Sequence, residues 1–444
     1  MNWNQLLSIK RFGLESRHNN TPTNRTEFQR DFDRLIFSNP FRRLQNKTQV
    51  FPLPGSVFVH NRLTHSLEVS CVGRSIGETV SQMLIDKHSK LESQAPLIHE
   101  LGAIVSAACL THDLGNPPFG HSGETAISTY FSEGNGHVLQ EDLKEEFWED
   151  IIHFEGNANT FRLLTHQFEG RREGGFALTY STLASVVKYP YESKLAGNKS
   201  KFGFFYSEKE NFERVAKELG LIQIPHEDGL KYARYPLVYL VEAADDICYQ
   251  LMDIEDSYKL RILSKEEVFN LLYLYLTPDQ IKRAENVFQD VSDINERIAY
   301  LRTVIIGILV KGVATTFVNY EEDILLGKFN QDLISHLPNK IKEAYQTCKK
   351  TAYAKIYRSK EVTDIELAGY KIIRSLLDYY IDAVKNPDQI YSKLLLEKVP
   401  SQYAIRSESL DLRVQAILDY VSGMTDIYAL DLYRKINGHS LPAI

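Results

Sequence analysis

Cysteine, methionine and tryptophan are scarce in this sequence of 444 residues, which contains 4 Cys, 4 Met and 2 Trp. The cysteines are scattered and form no Cys-x-x-Cys pair, so the sequence indicates neither a disulfide framework nor a zinc ribbon. We expect each of the four to be a small core residue, namely Cys71, Cys109, Cys248 and Cys348.

Long apolar runs and an excess of positive charge are also missing. No uninterrupted run approaches 18 apolar residues, and residues 1–11 lack the apolar centre of a signal peptide. The 51 Lys and Arg are outnumbered by 58 Asp and Glu, which gives a formal net charge of −7. These absences predict a cytoplasmic protein with no membrane span, and they argue against a broadly basic nucleic-acid binder while leaving room for a local patch.

Apolar residues at helical spacing fill most of the chain and predict an all-α fold with at most small β elements. Four helices are expected before residue 170, over 62–92, 97–113, 122–132 and 145–168, the third capped by Ser122. A short hairpin near 202–206 is the β element considered. From residue 261 onward, long amphipathic patterns are broken at Pro278, Pro338, Pro387 and Pro400.

The most informative feature is the dipeptide His112–Asp113, which ends an apolar segment and precedes a Gly/Pro-rich stop. Neutral imidazole suits transition metals and carboxylate suits hard cations, so the pair fits Mn, Fe, Mg or Zn. A lone His-Asp pair is weak evidence, since a satisfied core histidine beside a capping carboxylate is the common alternative. Further ligands of the same kind in two other segments strengthen the metal hypothesis.

The first of these segments, residues 61–69, places His65 in the first turns of an amphipathic helix. The second, residues 235–253, is a helix whose start suits Pro236. On it Asp245, Tyr249 and Asp253 are each four residues apart, so they form a polar stripe among apolar neighbours. A solvated face would mix Lys, Glu and Gln, so we expect this stripe to point into a site.

His65, His112, Asp113 and Asp245 together resemble the signature of the HD metallohydrolase superfamily, and the closer resemblance is to deoxyguanosinetriphosphate triphosphohydrolases and related dNTPases. The motifs that carry it include His-Asp-Leu-Gly-Asn, Lys-Tyr-Pro, Lys-Phe-Gly-Phe-Phe and Ser-Gly-Met-Thr-Asp; the matching stretches are 41–51, 60–69, 112–124, 153–162, 188–190, 201–205 and 422–426. The resemblance is dense from Arg30 to Asp253 and then thins.

The resemblance implies that these four residues hold a divalent metal, Mn, Mg or Fe, which activates water or polarises a phosphoryl group. It also implies a catalytic dyad of His121 and Glu124, in which the carboxylate orients an imidazole that acts as general acid or base. His153 matches a further active-site histidine of the family. The non-catalytic alternatives are a helix-capping interaction for the dyad and a structural role for His153.

The substrate residues are likewise implied by the resemblance. Phosphate contacts fall on Arg62, Lys188, Tyr189 and Lys201. Tyr249 and Asp253 surround the sugar, where Asp253 accepts the proton of the 3′-OH and an aromatic ring under C2′ leaves no space for a 2′-OH. Gln49 matches a residue beside the base or sugar. Each assignment has a structural alternative. The lysines could be ordinary solvated side chains, Tyr249 and Asp253 could serve helix packing, and Gln49 could be a surface residue.

The implied reaction converts dGTP and water to deoxyguanosine and triphosphate, by cleavage between the 5′ oxygen and the α-phosphorus. Three alternatives are a broad dNTP triphosphohydrolase, an HD phosphodiesterase acting on cyclic nucleotides, and a non-catalytic nucleotide sensor or single-strand binder. Lys-Tyr-Pro and Lys-Phe-Gly favour a triphosphate, while the intact dyad and ligand set argue against a silent protein. The family also implies a homo-oligomer, with hexamers among its assemblies, and single-stranded DNA as an effector to consider.

We divide the chain into an N-terminal arm and base- or sugar-contacting segment (1–60), an HD metallohydrolase core (61–260) and a C-terminal helical region (261–444). Residues 15–34 are polar and rich in arginine, which predicts an exposed arm leading into a helix. No internal repeat is found. The boundary near residue 260 is soft, because no flexible linker is evident there.

Overall fold

The computed structural model describes residues 1–15, 24–52, 59–197 and 201–440. In these ranges helices dominate, and β pairing is limited to four isolated bridges, Arg11–Thr179, Thr48–Asn61, Tyr191–Lys231 and Gln223–Tyr232. The all-α prediction is therefore confirmed. The hairpin considered near 202–206 is wrong, because this stretch leads directly into a turn of 3-10 helix, Tyr206–Glu208.

The α-helices of the first half are α1 (Trp3–Leu6), α2 (Glu27–Ile36), α3 (Asn39–Arg43), α4 (Arg62–Lys87), α5 (Leu91–Gln94), α6 (Leu101–Thr111), α7 (His121–Ser132), α8 (Glu145–Ile152), α9 (Gly156–Thr165), α10 (Tyr180–Val186) and α11 (Lys209–Leu219). Those of the second half are α12 (Val238–Lys259), α13 (Lys265–Tyr273), α14 (Pro278–Val287), α15 (Ile294–Asn319), α16 (Glu321–Leu325), α17 (Asn339–Thr351), α18 (Lys360–Lys385), α19 (Ile390–Leu396), α20 (Leu410–Ser422) and α21 (Asp426–Ile436). A π-helical turn, Ala352–Ile356, continues α17.

The centre of the fold is the pair α4 and α6, which α2, α10, α12 and α15 surround. Glycines bring the two helices together: a Cβ on Gly77 would lie 2.8 Å from the Gly102 Cα and 2.8 Å from the Leu101 carbonyl oxygen. All residues of α6 except Ala103 are buried, so this helix is a central helix of the fold. Because both helices are rigid and closely packed, the residues at their adjoining ends have fixed relative positions.

Two hydrophobic cores lie on either side of the HD loop, the segment 112–120 between α6 and α7. One core joins α4, α6 and α12 with α13, α15 and α17. The other joins α7 and α8 with α18, α20 and α21. Both cores contain helices from before and after residue 260. The division into three regions therefore stays a prediction, which is based on the order of the sequence motifs and not on how the helices pack.

Several predicted helix boundaries are corrected. The segment 145–168 is two helices rather than one, since the Glu155 carboxylate accepts from the Asn157 and Ala158 amides and begins α9 as its N-cap. The helix starting near 62 ends at Lys87 instead of 92. Ser122 does not cap α7, which follows Gly120; its hydroxyl donates to the Glu366 carbonyl oxygen at 2.6 Å.

Two expectations about exposure also change. Cys109, Cys248 and Cys348 are buried as predicted, but Cys71 is exposed because it lies on the outer face of α4. The arginine-rich stretch is only partly an exposed arm: α2 buries Phe28 against the first core, while residues 16–23 fall outside the described ranges.

One helix, α15, is long and apolar enough to cross a membrane when judged by length and composition alone. In the 18-residue apolar stretch of this helix, 39% of the residues are buried. One face of the helix packs on α4 and α12, with Ile305 and Leu309 in the first core. A core helix of a folded protein passes the same test, so this feature adds little to the question of a membrane.

Candidate active site

Three elements bring the predicted metal ligands to one place. A capping box of Asn61 and Thr64 begins α4, which carries His65 in its first turn. His112 and Asp113 follow directly after the buried helix α6, and Asp245 lies on α12. The ligand atoms of His65, His112 and Asp113 all lie within 4.8 Å of one another.

Asp245 closes this cluster from α12. Its Oδ1 lies 3.0 Å from His65 Nε2 and 3.5 Å from His112 Nε2, while His112 Nε2 is 3.6 Å from Asp113 Oδ2. Burial alone would raise the pKa of Asp245, but the imidazoles of His112 and His65 hold it well below its usual value. The cluster therefore carries two carboxylates that remain anionic.

The orientation of the ligands fits a divalent cation. His112 Nδ1 donates to the Cys109 carbonyl oxygen at 2.7 Å, so in the neutral imidazole, the form that binds metal, the lone pair is on Nε2. That Nε2 is buried and has no hydrogen-bond partner among the described residues. Asn116 donates to Asp113 Oδ1 at 2.5 Å, an outer contact of the kind that aims metal-ligating carboxylates. Two imidazoles and two carboxylates suit Mn, Fe or Zn, and the carboxylates also suit Mg.

Arg62 connects the cluster to the HD loop. Its Nη1 lies 2.6 Å from Asp113 Oδ2. Burial would raise the pKa of Asp113, but the guanidinium of Arg62 and the imidazole of His112 lower it. Gly120 has φ +57°, a conformation that favours glycine, and a Cβ there would lie 2.5 Å from Arg62 Nη2, so a side chain at this position would displace that guanidinium.

The predicted dyad lies at the start of α7. Glu124 Oε2 is 2.7 Å from His121 Nδ1, and the Gly156 amide donates to the other oxygen at 2.8 Å. The Glu124 side chain is buried, whereas His121 is 81% exposed at the mouth of the site. The hydrogen bond that His121 donates to Glu124 raises the pKa of His121, so the imidazole keeps its proton to a higher pH than an isolated histidine.

The two predicted lysines are also close to this centre, and each is paired. Lys201 Nζ lies 2.6 Å from Glu155 and 4.0 Å from the dyad carboxylate of Glu124. Lys188 Nζ lies 3.0 Å from Glu242 and 5.5 Å from the centroid of the Tyr189 ring. Together with Arg62, which pairs with Asp113, they make three cations that each have a carboxylate partner.

Tyr249 and Asp253 follow Asp245 along α12 as predicted. The Tyr249 ring lies 6.4 Å from the ring of His65 and 5.7 Å from the ring of Tyr357, with 32° between the two tyrosine planes. Tyr357 donates to Asp253 Oδ2 at 2.6 Å. Burial raises the pKa of Asp253 to about 8. These groups place two aromatic rings and a buried carboxyl beside the ligand cluster.

Two predicted residues have weaker links to the centre. His153 is the C-cap of α8, and its hydrogen bond and ion pair among the described residues both go to Glu149. Gln49 is half-buried, and its Oε1 has no hydrogen-bond partner in the part of the chain described. It lies close to the start of α4, because Thr48 pairs with Asn61 in an isolated bridge.

Sequence reasoning missed the partners that hold these groups in place, namely Asn116, Glu155, Glu242, Tyr357 and Asp426. Asp426 accepts hydrogen bonds from the Thr48 amide at 2.8 Å and the Phe119 amide at 2.9 Å, so it ties the Gln49 segment to the HD loop. Asn116 could have been found from its spacing of three after Asp113. Tyr357 gave no local signal, since it is 104 residues from Asp253.

The comparisons agree with this geometry. Residues 62–155 match the family model of the HD domain, and residues 335–435 match that of the phosphohydrolase-associated domain. The chain is 37% identical to a deoxyguanosinetriphosphate triphosphohydrolase-like protein of Pseudomonas aeruginosa over 100% of both chains. It is 38% identical to a protein of the same description from Synechocystis, over 99% of this chain and 100% of the relative. A deoxyguanosinetriphosphate triphosphohydrolase of Yersinia enterocolitica is 30% identical over 98% and 99%.

Proposed function

The chain belongs to the HD-domain family of deoxyguanosinetriphosphate triphosphohydrolases and their like, and from this premise we propose that it is a metal-dependent dNTP triphosphohydrolase acting on dGTP. The proposed products are deoxyguanosine and triphosphate. One observation carries the proposal: a two-His, two-carboxylate cluster lies beside a His–Glu dyad and three buried or half-buried cations.

The metal would be held by His65, His112, Asp113 and Asp245. When bound, a divalent cation supplies Lewis-acid polarisation of the phosphoryl group and lowers the pKa of a water. The protein's own contribution is orientation, since Cys109 fixes the tautomer of His112 and Asn116 fixes the carboxylate of Asp113.

His121 is proposed as the general acid. Water adds to the α-phosphorus and releases a proton to the solvent, the bond from phosphorus to the 5′ oxygen breaks, and His121 Nε2 gives its proton to the leaving 5′ oxygen and then regains one from the solvent. Glu124 supports this role by holding Nδ1, which leaves Nε2 at the exposed mouth of the site, and by raising the pKa of the ring, so that it stays protonated to higher pH.

Arg62, Lys188, Lys201 and the hydroxyl of Tyr189 are proposed to bind the triphosphate. In the protein alone the three cations are paired with Asp113, Glu242 and Glu155. Such pairing keeps them charged and positioned inside a partly buried site before the substrate arrives. The phosphate oxygens would then share or replace the carboxylates as acceptors.

Tyr249, Asp253 and Tyr357 are proposed to select the sugar. The two rings lie 5.7 Å apart beside the carboxyl of Asp253, which leaves its Oδ1 for a 3′-OH while Oδ2 accepts from Tyr357. A ring packed against C2′ excludes a 2′-OH. We retain His153 as an active-site residue and Gln49 as a base or sugar contact, the latter because its Oε1 is unpaired.

A broad dNTP triphosphohydrolase is the second candidate. This candidate is favoured because nearly all of the proposed contacts are to the phosphates and the sugar, which all four dNTPs share. Gln49 is the one residue proposed to contact the base. We also keep as proposals a homo-oligomer, hexamer included, single-stranded DNA as an effector, a cytoplasmic location and the HD core of residues 61–260.

The test is turnover of the four dNTPs and GTP with Mg, Mn and Fe supplied separately. We expect dGTP to be hydrolysed fastest and GTP poorly with at least one of the metals. Equal rates for all four dNTPs would contradict guanine specificity and favour a broad dNTP triphosphohydrolase. Absence of hydrolysis with every substrate and metal would overturn the proposed function.

A further inference from the structure

The HD loop ends in a tight turn, residues 117–120, directly before the proposed acid His121. The Gly120 amide donates to the Pro117 carbonyl oxygen at 3.2 Å, which closes the turn. The third residue of the turn, Phe119, has φ +63°. In a turn with proline at its second position and a positive φ at its third, the third residue is normally glycine or asparagine. A phenylalanine in this conformation is unfavourable, and such residues persist where their surroundings hold them.

Two groups from the C-terminal half of the chain hold Phe119 in this conformation. Asp426 accepts a hydrogen bond from the Phe119 amide at 2.9 Å. Gly369 of α18 is buried, and a Cβ on it would lie 2.5 Å from both Cβ and Cγ of Phe119. The ring of Phe119 also packs against the second core. The side chain therefore rests directly on the backbone of α18, at a point where that helix has no room for a side chain of its own.

The same side of α18 also contacts α7, the helix that begins with His121. Ser122 donates to the Glu366 carbonyl oxygen at 2.6 Å, and the hydroxyls of Thr129 and Tyr370 lie 2.8 Å apart. Positions 366, 369 and 370 are three and four residues apart at the extremes, so they share one side of the helix. This helix belongs to the segment that matches the phosphohydrolase-associated domain. The C-terminal region thus holds the end of the HD loop and α7 together.

The position of the His121 imidazole depends on this turn. The ring is exposed, and in the part of the chain that the structure describes its hydrogen bond goes to Glu124. The Glu124 carboxylate is fixed separately, because its other oxygen accepts from the Gly156 amide. A change in the backbone at residues 119–120 would therefore move the imidazole relative to a carboxylate that stays in place.

We propose that Phe119 is a positioning residue for His121: α18 and Asp426 hold it in the left-handed region, and the turn fixed in this way sets where the imidazole lies. The inference rests on the proposed function in that it takes His121 as the acid. Glycine at position 119 would satisfy the turn, but it would offer α18 no side chain to hold. Through Phe119, the C-terminal region acts on the proton donor without touching it.

The test is a double-mutant cycle of Gly369→Ala and Phe119→Gly, with kcat and KM for dGTP measured in the metal-loaded protein. The methyl added by Gly369→Ala displaces the Phe119 side chain, so we expect kcat to fall about 10²-fold while KM changes less than about threefold. Phe119→Gly frees the turn and should lower kcat about tenfold. In that background Gly369→Ala should cause no further loss, because the atoms that its methyl would strike are absent.

A second readout follows His121 without turnover. In full-length protein with ¹³C-labelled histidine and no added metal, NMR titration of the His121 ring reports its hydrogen bond to Glu124, and His121→Ala identifies the signal. A displaced ring loses this bond, so the pKa of His121 should be lower in Gly369→Ala and in Phe119→Gly than in the wild type. The matched control for both readouts is Gly307→Ala, whose Cβ meets nothing within 4 Å.

Equal fold losses of kcat from Gly369→Ala in both backgrounds would overturn the proposal. A lower melting temperature with unchanged kcat and unchanged His121 titration would also overturn it, since that is the result of a merely structural contact. If Gly369→Ala does not fold, Phe119→Gly decides alone, because glycine suits the turn; wild-type kcat and titration in this variant contradict the positioning role. A shifted titration in a protein whose wild type hydrolyses no dNTP would support the positioning role and refute the proposed function.

Discussion

At the scale of single residues, the account depends most on His121. We predict that His121→Ala leaves the metal bound but lowers kcat by about 10²- to 10⁴-fold, the usual contribution of a general acid. His99→Ala is the matched control, because His99 also pairs with a glutamate, Glu92 at 2.9 Å, but on the exposed surface. A rate for His121→Ala within twofold of the wild type contradicts the assigned role.

The partner of His121 sets a pH dependence with a definite sign. Glu124 raises the pKa of His121, so the acid form is present below that raised pKa and is lost as the pH rises through it. Glu124→Gln removes the charge, and the alkaline limb of the kcat/KM profile should therefore move to lower pH. An alkaline limb at the same pH in both proteins would show that another group controls it.

Asp253 is expected to affect both the stability of the fold and the selection of the substrate sugar. Its folded pKa, about 8 because of burial, is above that of the unfolded chain, so its contribution to stability is lost as the pH rises from about 4 to 8. Asp253→Asn does not titrate, and its free energy of unfolding relative to the wild type should increase from pH 5 to pH 8. The same variant should discriminate less between dGTP and its 3′-deoxy analogue. A flat stability difference with unchanged discrimination contradicts this reading.

At the scale of elements, the close contact of α4 and α6 fixes where His65 lies relative to His112. A Cβ on Gly77 would lie 2.8 Å from backbone atoms of α6, so Gly77→Ala should cost about 1–3 kcal/mol of stability and reduce metal affinity. Gly307→Ala on α15 is the control. Its Cβ meets nothing within 4 Å, and helix propensity should make it neutral or stabilising. Equal melting temperatures for the two variants would contradict the packing account.

The elements show why prediction from sequence succeeded in some places and failed in others. Apolar spacing predicts α4 and α12, because buried apolar residues recur at helical spacing along both helices. The break between α8 and α9 was missed because it depends on the Glu155 side chain, which caps α9 and pairs with Lys201 at the same time. A periodicity argument contains no information about such local hydrogen bonds.

At the scale of the whole molecule, the clustering of the four candidate ligands could be predicted, and most of the supporting contacts could not. His112 and Asp113 form a recognisable motif, and the polar stripe on α12 pointed to Asp245. Tyr357 and Asp426 come from the C-terminal region and reach Asp253 and the HD loop through contacts that span 104 and 307 residues.

The central claim is that the metal cluster and the dyad act together to release triphosphate intact. The most direct measurement is the ³¹P spectrum of dGTP incubated with the metal-loaded protein, beside a sample stripped with EDTA. The account predicts tripolyphosphate as the phosphorus product, with deoxyguanosine in equal amount and no reaction in the stripped sample. Orthophosphate or pyrophosphate as the first product, or equal turnover without metal, would contradict it.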